Sequence, residues 1–232
     1  MCEYVHSMGN STGNLKEYWE IIRSNRRTQG GFIWDWVDQG LTKYDEDGEP
    51  YWAYGGDFGD EINDKNFCIN GLIWPDRKPH PAMWEYKYIL QPLEVQALDI
   101  EEGRFRVTNR RFFTDLRDLS GTWQVLEDGA VIESGDLPDL ATAPRGTEEF
   151  AVDLPEITAV PGAEYRLMLR WSLAEDTAWA DAGHEVGFEE FAMEVFEPVD
   201  PADLIVEDYP ELKARQSEEG FIVRNRGCRV VF

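Results

Sequence analysis

Cysteine, histidine and lysine are scarce in this chain, and no long apolar run occurs. The three cysteines, Cys2, Cys68 and Cys228, are too few and too scattered for a disulfide framework, and none has the Cys-x-x-Cys spacing of a zinc site. Reduced thiols and a cytoplasmic location are therefore expected. The histidines, His6, His80 and His184, are too dispersed to suggest a metal cluster. No stretch approaches the roughly 18 apolar residues of a membrane helix, and no charged-then-apolar leader opens the chain. Basic residues are few: 22 Lys and Arg stand against 46 Asp and Glu, a formal charge of −24. That balance opposes nucleic acid and anionic membrane surfaces as partners, whereas an uncharged ligand is not repelled. An acidic surface adapted to high salt and an ordinary acidic protein fit it equally. With 232 residues, 42% of them hydrophobic, the chain can bury the core of one or two domains.

What is present is concentrated near the start. In Met1-Cys2-Glu3-Tyr4-Val5-His6-Ser7-Met8-Gly9-Asn10 a short apolar segment ends on an acid, with a histidine three residues later and a small-residue turn after it. Residues 14–25 place Leu15, Tyr18, Trp19 and Ile22 at helical spacing, so an amphipathic helix follows the turn. Strand, polar turn and helix in that order are how a (β/α) barrel presents a catalytic side chain at the C-terminal end of a strand. Glu3 is the side chain so placed.

Gly30-Gly31 leads into Phe32-Ile33-Trp34-Asp35-Trp36-Val37-Asp38, which reads as a mostly buried strand carrying acids at its far end. Alternation sends Phe32, Trp34 and Trp36 one way and Ile33, Asp35 and Val37 the other. Residues 39–81 show few periodic segments and many turn residues, and so long a connection in a compact domain is usually functional. Asp57-Phe58-Gly59 spells a kinase metal motif, but without a phosphate loop or catalytic-loop signature that reading fails. Residues 81–90 predict a last barrel helix with Pro81 in its first turn, ended by Gln91-Pro92. Thereafter short alternating strands, at 105–109, 122–126 and 165–171, predict an immunoglobulin-like sandwich over 93–197. Residues 197–203 have the composition of a linker, and 221–223 and 229–232 read as first strands of a further β domain that stops before it closes a sheet.

Four blocks in fixed order carry a resemblance. They are Cys2 to Ser11; Gln29-Gly30-Gly31-Phe32-Ile33-Trp34-Asp35-Trp36-Val37-Asp38-Gln39; Tyr54-Gly55-Gly56-Asp57-Phe58-Gly59-Asp60, continuing through Asn63-Asp64 to Phe67-Cys68-Ile69-Asn70-Gly71-Leu72; and Asp76-Arg77-Lys78-Pro79-His80-Pro81. Together they resemble glycoside hydrolase family 2, on the branch of the long bacterial β-galactosidases of the lactose-operon type. The resemblance implies an α/β plus all-β fold: the C-terminal end of a (β/α)8 TIM barrel over 1–92, an immunoglobulin-like β-sandwich over 93–197, and a linker with the start of a further β domain over 198–232.

It also implies a retaining glycosidase acting on terminal β-D-galactosides such as lactose. Such enzymes need two carboxyl groups about 5 Å apart, one attacking the anomeric carbon and one protonating the leaving oxygen. By resemblance Glu3 is the nucleophile, and the acid belongs to residues preceding Met1, so the chain is expected to be a central fragment that is inactive alone. His6, Trp34 and Asn70 would bind the sugar. An isolated tryptophan in such a strand is read as core; the block match reassigns Trp34 to the pocket and leaves Trp36 in the core. Resemblance further implies Na+ on the Phe67 backbone oxygen and the Asn70 side chain, Mg2+ near Asn63, and a cis peptide at Trp34-Asp35. The expected partners are the galactoside, the rest of the polypeptide or a complementing fragment, and further copies in a homo-oligomer. A noncatalytic carbohydrate-binding or structural sandwich, a complementation subunit supplying the nucleophile, and another family 2 specificity stay open.

Overall fold

The computed structural model describes residues 1–201, 211–217, 220–225 and 227–232. Helix α1, Leu15–Ser24, forms where the 3–4 spacing predicts it and buries Leu15 and Ile22. Asn14, in the left-handed region at φ 63°, turns the chain into it. The chain on either side of α1 pairs in parallel. Tyr4 N–H donates to Phe32 O at 3.1 Å, Trp34 N–H to Tyr4 O at 3.3 Å, and Ser7 N–H to Trp34 O at 2.7 Å. Tyr4, Leu15 and Ile89 form a small core joined by Val5, Trp19, Ile33 and Tyr86. This is a β-α-β arrangement with the helices covering one face of the paired segments.

The expectation of a mostly buried strand after Gly31 needs correction. Regular pairing is confined to the bridge Tyr4↔Ile33 and a second parallel bridge, Val37↔Ile73. Phe32, Trp34 and Trp36 are 75%, 42% and 49% exposed, while Ile33, Asp35 and Val37 are half-buried. The alternation is as expected, but only the face toward α1 and the second helix is covered. Trp36, assigned to the core, lies on the open face with Trp34.

Residues 39–81 hold a hairpin that the sequence pattern did not suggest. Strand β1, Leu41–Tyr44, pairs with β2, Pro50–Ala53, from Leu41↔Ala53 to Tyr44↔Pro50. Asp45 builds its turn by accepting the amides of Asp47 and Glu49 at 3.0 and 2.8 Å. Strands of four residues are too short to show a period of two against charged neighbours. A short 3-10 turn, Lys65–Cys68, follows. Helix α2, Pro81–Leu90, has the bounds expected, with proline tolerated in a first turn whose amides lack partners anyway.

From Leu93 the chain is antiparallel β. Strands β3 (Leu93–Asp99), β4 (Arg104–Asn109), β5 (Leu119–Glu127), β6 (Ala130–Asp136), β7 (Thr147–Ala151), β8 (Tyr165–Leu173) and β9 (Glu185–Ala192) form two sheets, ordered β3-β4-β7 and β6-β5-β8-β9. Their inner faces share one core. Leu93, Val95, Phe105 and Val107 from the first sheet meet Trp123, Val125, Leu167, Leu169 and Trp171 from the second. Alternation along β8 explains why: Leu167, Leu169, Trp171 and Leu173 point in and Arg166, Arg170 and Ser172 do not. Burial of each such side chain contributes about 1.5–3 kcal/mol, so this core outweighs the small one under α1.

The two parts are joined through the end of α2. Buried Gln91 accepts the Phe188 amide at 3.0 Å, and Tyr88 Oη donates to Glu189 at 2.8 Å. Glu197, the first residue of the expected linker, accepts the Gly162 amide at 2.8 Å and so is tied to the sandwich. Ala202 and Asp203 of that linker lie outside the described residues. The expectation that the last segment closes no sheet is corrected, since β10 (Lys213–Ser217), β11 (Gly220–Arg224) and β12 (Arg229–Val231) form a three-stranded antiparallel sheet. Among the described residues no helix is long and apolar enough to cross a membrane.

Candidate functional site

The site is set by which face of the paired segments each side chain takes. Tyr4 and Ile33 point under the helices, so their neighbours Glu3 and Trp34 stand on the opposite, open face at adjacent chain ends. Glu3 is exposed. Two residues on, Val5 takes φ 48°, a region that β-branched residues rarely enter. This turn brings Ser7 N–H to Trp34 O and carries the chain on to His6 and Ser7. The Trp34-Asp35 peptide is cis. On the helix side Tyr4 is held firmly: Trp19 Nε1–H donates to its hydroxyl at 3.0 Å, and Tyr18 meets its ring edge-on. Gly31 is required here, since a Cβ would lie 2.9 Å from the Tyr4 ring.

A second strand of chain closes the other side. The His6 imidazole stacks on the Phe67 ring, with centroids 5.6 Å apart. Phe67 O accepts Asn70 Nδ2–H at 2.8 Å. Asn70 O accepts the Asp35 amide, the N–H of the cis peptide itself, at 2.6 Å. His6, Trp34 and the Phe67–Asn70 turn, from three separate stretches of chain, are thereby linked through stacking and hydrogen bonds. Glu3 enters this group through its neighbour Tyr4.

Asn70 is 2% exposed and its Oδ1 has no hydrogen-bond partner. A buried acceptor left unmatched costs roughly 1–3 kcal/mol, and one beside a carbonyl oxygen with a lone pair to spare suits a hard monovalent cation. The donor set thus fits the Na+ expected at Phe67 and Asn70. Asn63 is engaged within its own loop. Its Nδ2–H donates to Asp60 O at 2.9 Å and its Oδ1 accepts the Lys65 amide at 3.1 Å. No cluster of His, Cys, Asp and Glu fit for a metal occurs among the described residues. With one hydrogen bond accepted, Asn63 Oδ1 keeps a lone pair, so the Mg2+ expected near it would take this oxygen with its other ligands supplied from elsewhere. Asp57 and Asp60 likewise serve their own loop, accepting the amides of Tyr54 and Gly56.

One structural pair escaped the sequence reading. Asp38, 2% exposed, accepts the Gly71 amide at 2.7 Å with Oδ1 and meets His80 Nε2 at 2.8 Å with Oδ2. Gly71 must be glycine, because a Cβ would lie 2.2 Å from Asp38 N. The pair ties the strand end to the Asn70 segment and to the start of α2. Acids at the strand end were legible; a partner 42 residues away was not.

Residues 1–95 match the family model described as "Glycosyl hydrolases family 2, TIM barrel domain", and residues 105–194 match "Beta-galactosidase, domain 4". Among curated proteins the chain is similar to a beta-galactosidase of Alteromonas mediterranea, 45% identical over 194 residues covering 83% of this chain and 18% of that protein. One from Vibrio vulnificus is 46% identical over 196 residues (83% and 19%), and one from Psychromonas ingrahamii 40% identical over 216 residues (91% and 20%). The chain thus spans about a fifth of the length of these relatives.

Proposed function

The chain belongs to family 2 of the glycosyl hydrolases, and from that membership we propose that it carries the nucleophile side of a retaining β-galactosidase site, with Glu3 as the nucleophile. The observation that carries this reading is the shared open face of Glu3 and Trp34 at the ends of paired parallel segments, beside the His6–Phe67–Asn70 group. The sandwich over 93–197, immunoglobulin-like in this reading, is the platform onto which α2 is fastened.

In the proposed reaction a Glu3 carboxylate oxygen bonds to the anomeric carbon as the bond to the aglycone oxygen breaks. The aglycone takes a proton from a second carboxyl group, which polypeptide outside these 232 residues supplies. Water then cleaves the galactosyl ester, giving its proton to that same group and returning Glu3 to carboxylate. Trp34 offers an indole face for the apolar side of the pyranose, and His6, steadied by Phe67, offers a nitrogen to a hydroxyl. Phe67 O and Asn70 Oδ1 would hold Na+, with the remaining ligands from elsewhere; bound there it supplies a fixed positive charge for a sugar hydroxyl. Asn70 itself is held by the Asp35 amide, so cation site and tryptophan are spaced through one backbone bond.

The test is a graft. Residues 1–194 replace their counterpart in the Vibrio vulnificus beta-galactosidase, and the chimera is treated with a 2-deoxy-2-fluoro-galactoside that traps the glycosyl-enzyme. Mass spectrometry should find the label on Glu3. Glu3→Ala should lose at least about 10³-fold in kcat and, with azide, should form the α-galactosyl azide. A label on another carboxylate sinks the assignment.

A further inference from the structure

A second concavity lies away from Glu3, His6, Trp34 and Asn70, between α1, the end of α2 and the connection that follows β4. Its volume is about 700 Å³, within the range of small-molecule sites. Arg23, Arg26, Arg110, Arg111 and Arg145 line it, and no Asp or Glu does. In a chain with 46 acids and 22 bases, five guanidinium groups around an acid-free cavity are a concentration of the rarer charge.

Two of the five are neutralised from outside the cavity: Arg110 pairs with Glu94 at 2.7 Å and Arg111 with Asp118. Arg23 instead lies over the Trp19 ring and donates to Ile89 O, and Arg145 lies over Phe112. Neither these two nor Arg26 makes an ion pair among the described residues. Desolvation in the cleft, helped by the charges of Arg110 and Arg145 and opposed in part by Glu94, lowers the Arg23 guanidinium to about 10. Like charges gathered out of bulk water favour an anion among them. Arginine forks match the paired oxygens of phosphate and carboxylate. Trp19, Ile22, Leu90 and Phe112 supply an apolar wall that a bare inorganic ion would not use.

We propose that this cleft binds a small organic anion, its phosphate or carboxylate held by Arg23, Arg26 and Arg145 and its apolar part against Trp19 and Phe112. The test uses the 232-residue chain, with phenyl phosphate and benzoate as probes and benzyl alcohol as the uncharged control. Calorimetric titration should give saturable binding of at least one anion, with a Kd on the order of 1 mM or below, weakening as NaCl is raised. Arg26→Gln and Arg145→Gln should each weaken it about tenfold, with near-ultraviolet circular dichroism unchanged. Arg27→Gln removes the same charge from a residue that does not line this cleft and should leave binding as it is. Preference for phenyl phosphate assigns the site to phosphate, preference for benzoate to carboxylate. The proposal is overturned if neither anion binds, if Arg27→Gln weakens binding as much as Arg26→Gln, or if only an oligoglutamate peptide binds.

Discussion

Replacing Asp38 tests the idea that the Asn70 segment is pinned from below. Both carboxylate oxygens are committed, one to the Gly71 amide at 2.7 Å and one to His80 at 2.8 Å. In Asp38→Ala the buried Gly71 N–H loses its acceptor, at a cost of roughly 1–3 kcal/mol, and the charge-assisted bond to His80, about 1.5–3 kcal/mol, goes with it. The two losses share one cause and will not add in full, so about 3 kcal/mol is expected. Asp38→Asn keeps the shape and one acceptor oxygen and should lose only about 1 kcal/mol. At tenfold for each 1.4 kcal/mol, the alanine variant should speed amide exchange roughly 10²-fold and the asparagine variant only several-fold.

The amides to follow are Gly71, Leu72, Ile73 and His80. The last three donate to Asp35 or Trp36, to Trp36, and to Leu72 respectively. Leu167 and Leu169, inside the sandwich core, serve as internal standards. Wild-type exchange at Gly71 and Leu72 in the alanine variant would refute the pinning argument. So would equal acceleration at Leu167 and Leu169, which would mean global rather than local loosening.

Three further outcomes follow from the same contacts. The 232-residue chain alone should hydrolyse no aryl β-galactoside, because Asp35 and Asp38, the acids nearest in the bonding network, are engaged by Gln39 and by Gly71 and His80; turnover abolished by Glu3→Gln would contradict this. Amide exchange should be slow in β5 and β8, with their large shared core, and faster across residues 1–92, whose apolar cluster of Tyr4, Leu15 and Ile89 is far smaller; uniform protection would count against it. Tyr86 and Tyr88 should titrate near 12, raised first by burial, then by Tyr4 for Tyr86 and by Glu189 for Tyr88. Because these folded-state values exceed the ordinary 10, stability from the neutral phenols is present below pH 10 and is lost as pH rises toward 12. Absorbance at about 295 nm showing every tyrosine ionised near the model-peptide value of about 10 would contradict it.

How much of this was legible in the sequence varies with the range of the interactions involved. Helices α1 and α2 could be read from spacing and from Pro81, because their signals lie within a few residues. The strands of the sandwich could be read because inward and outward residues alternate over a long core. Burial of the segment after Gly31 could not, since it depends on what stands opposite rather than on its own pattern. Phe32 and Trp36 have the composition of core residues and lie open. The hairpin β1-β2 was hidden by strands of four polar-rich residues. The third strand of the last sheet, β10, is Lys-Ala-Arg-Gln-Ser and shows no apolar face. At the site, the block resemblance singled out Glu3, His6, Trp34 and Asn70, whereas Asp38 and His80 drew no role because no local rule joins residues 42 apart.

The acids near the site separate by what their oxygens already do. Asp35 accepts the Trp36 amide and the Gln39 side chain; Asp38 accepts Gly71 and meets His80; Asp45, Asp57 and Asp60 each accept amides of their own turns. Each therefore has a structural use that a reacting group would forfeit on becoming an ester. Glu3 has no such commitment among the described residues, and it follows a strand end whose neighbour, Tyr4, is fixed by Trp19 and Phe32. Asn70 is divided in the same sense, with its amide hydrogens given to Phe67 and its oxygen left over. A buried acceptor left unmatched, as Asn70 Oδ1 is, is costly for folding alone, whereas the exposed Glu3 carboxylate is free to meet a ligand. In a chain with 46 acidic residues, acid content says nothing about where chemistry occurs. The roles proposed for Glu3 and Asn70 rest instead on oxygens left without protein partners, the one open to solvent and the other buried.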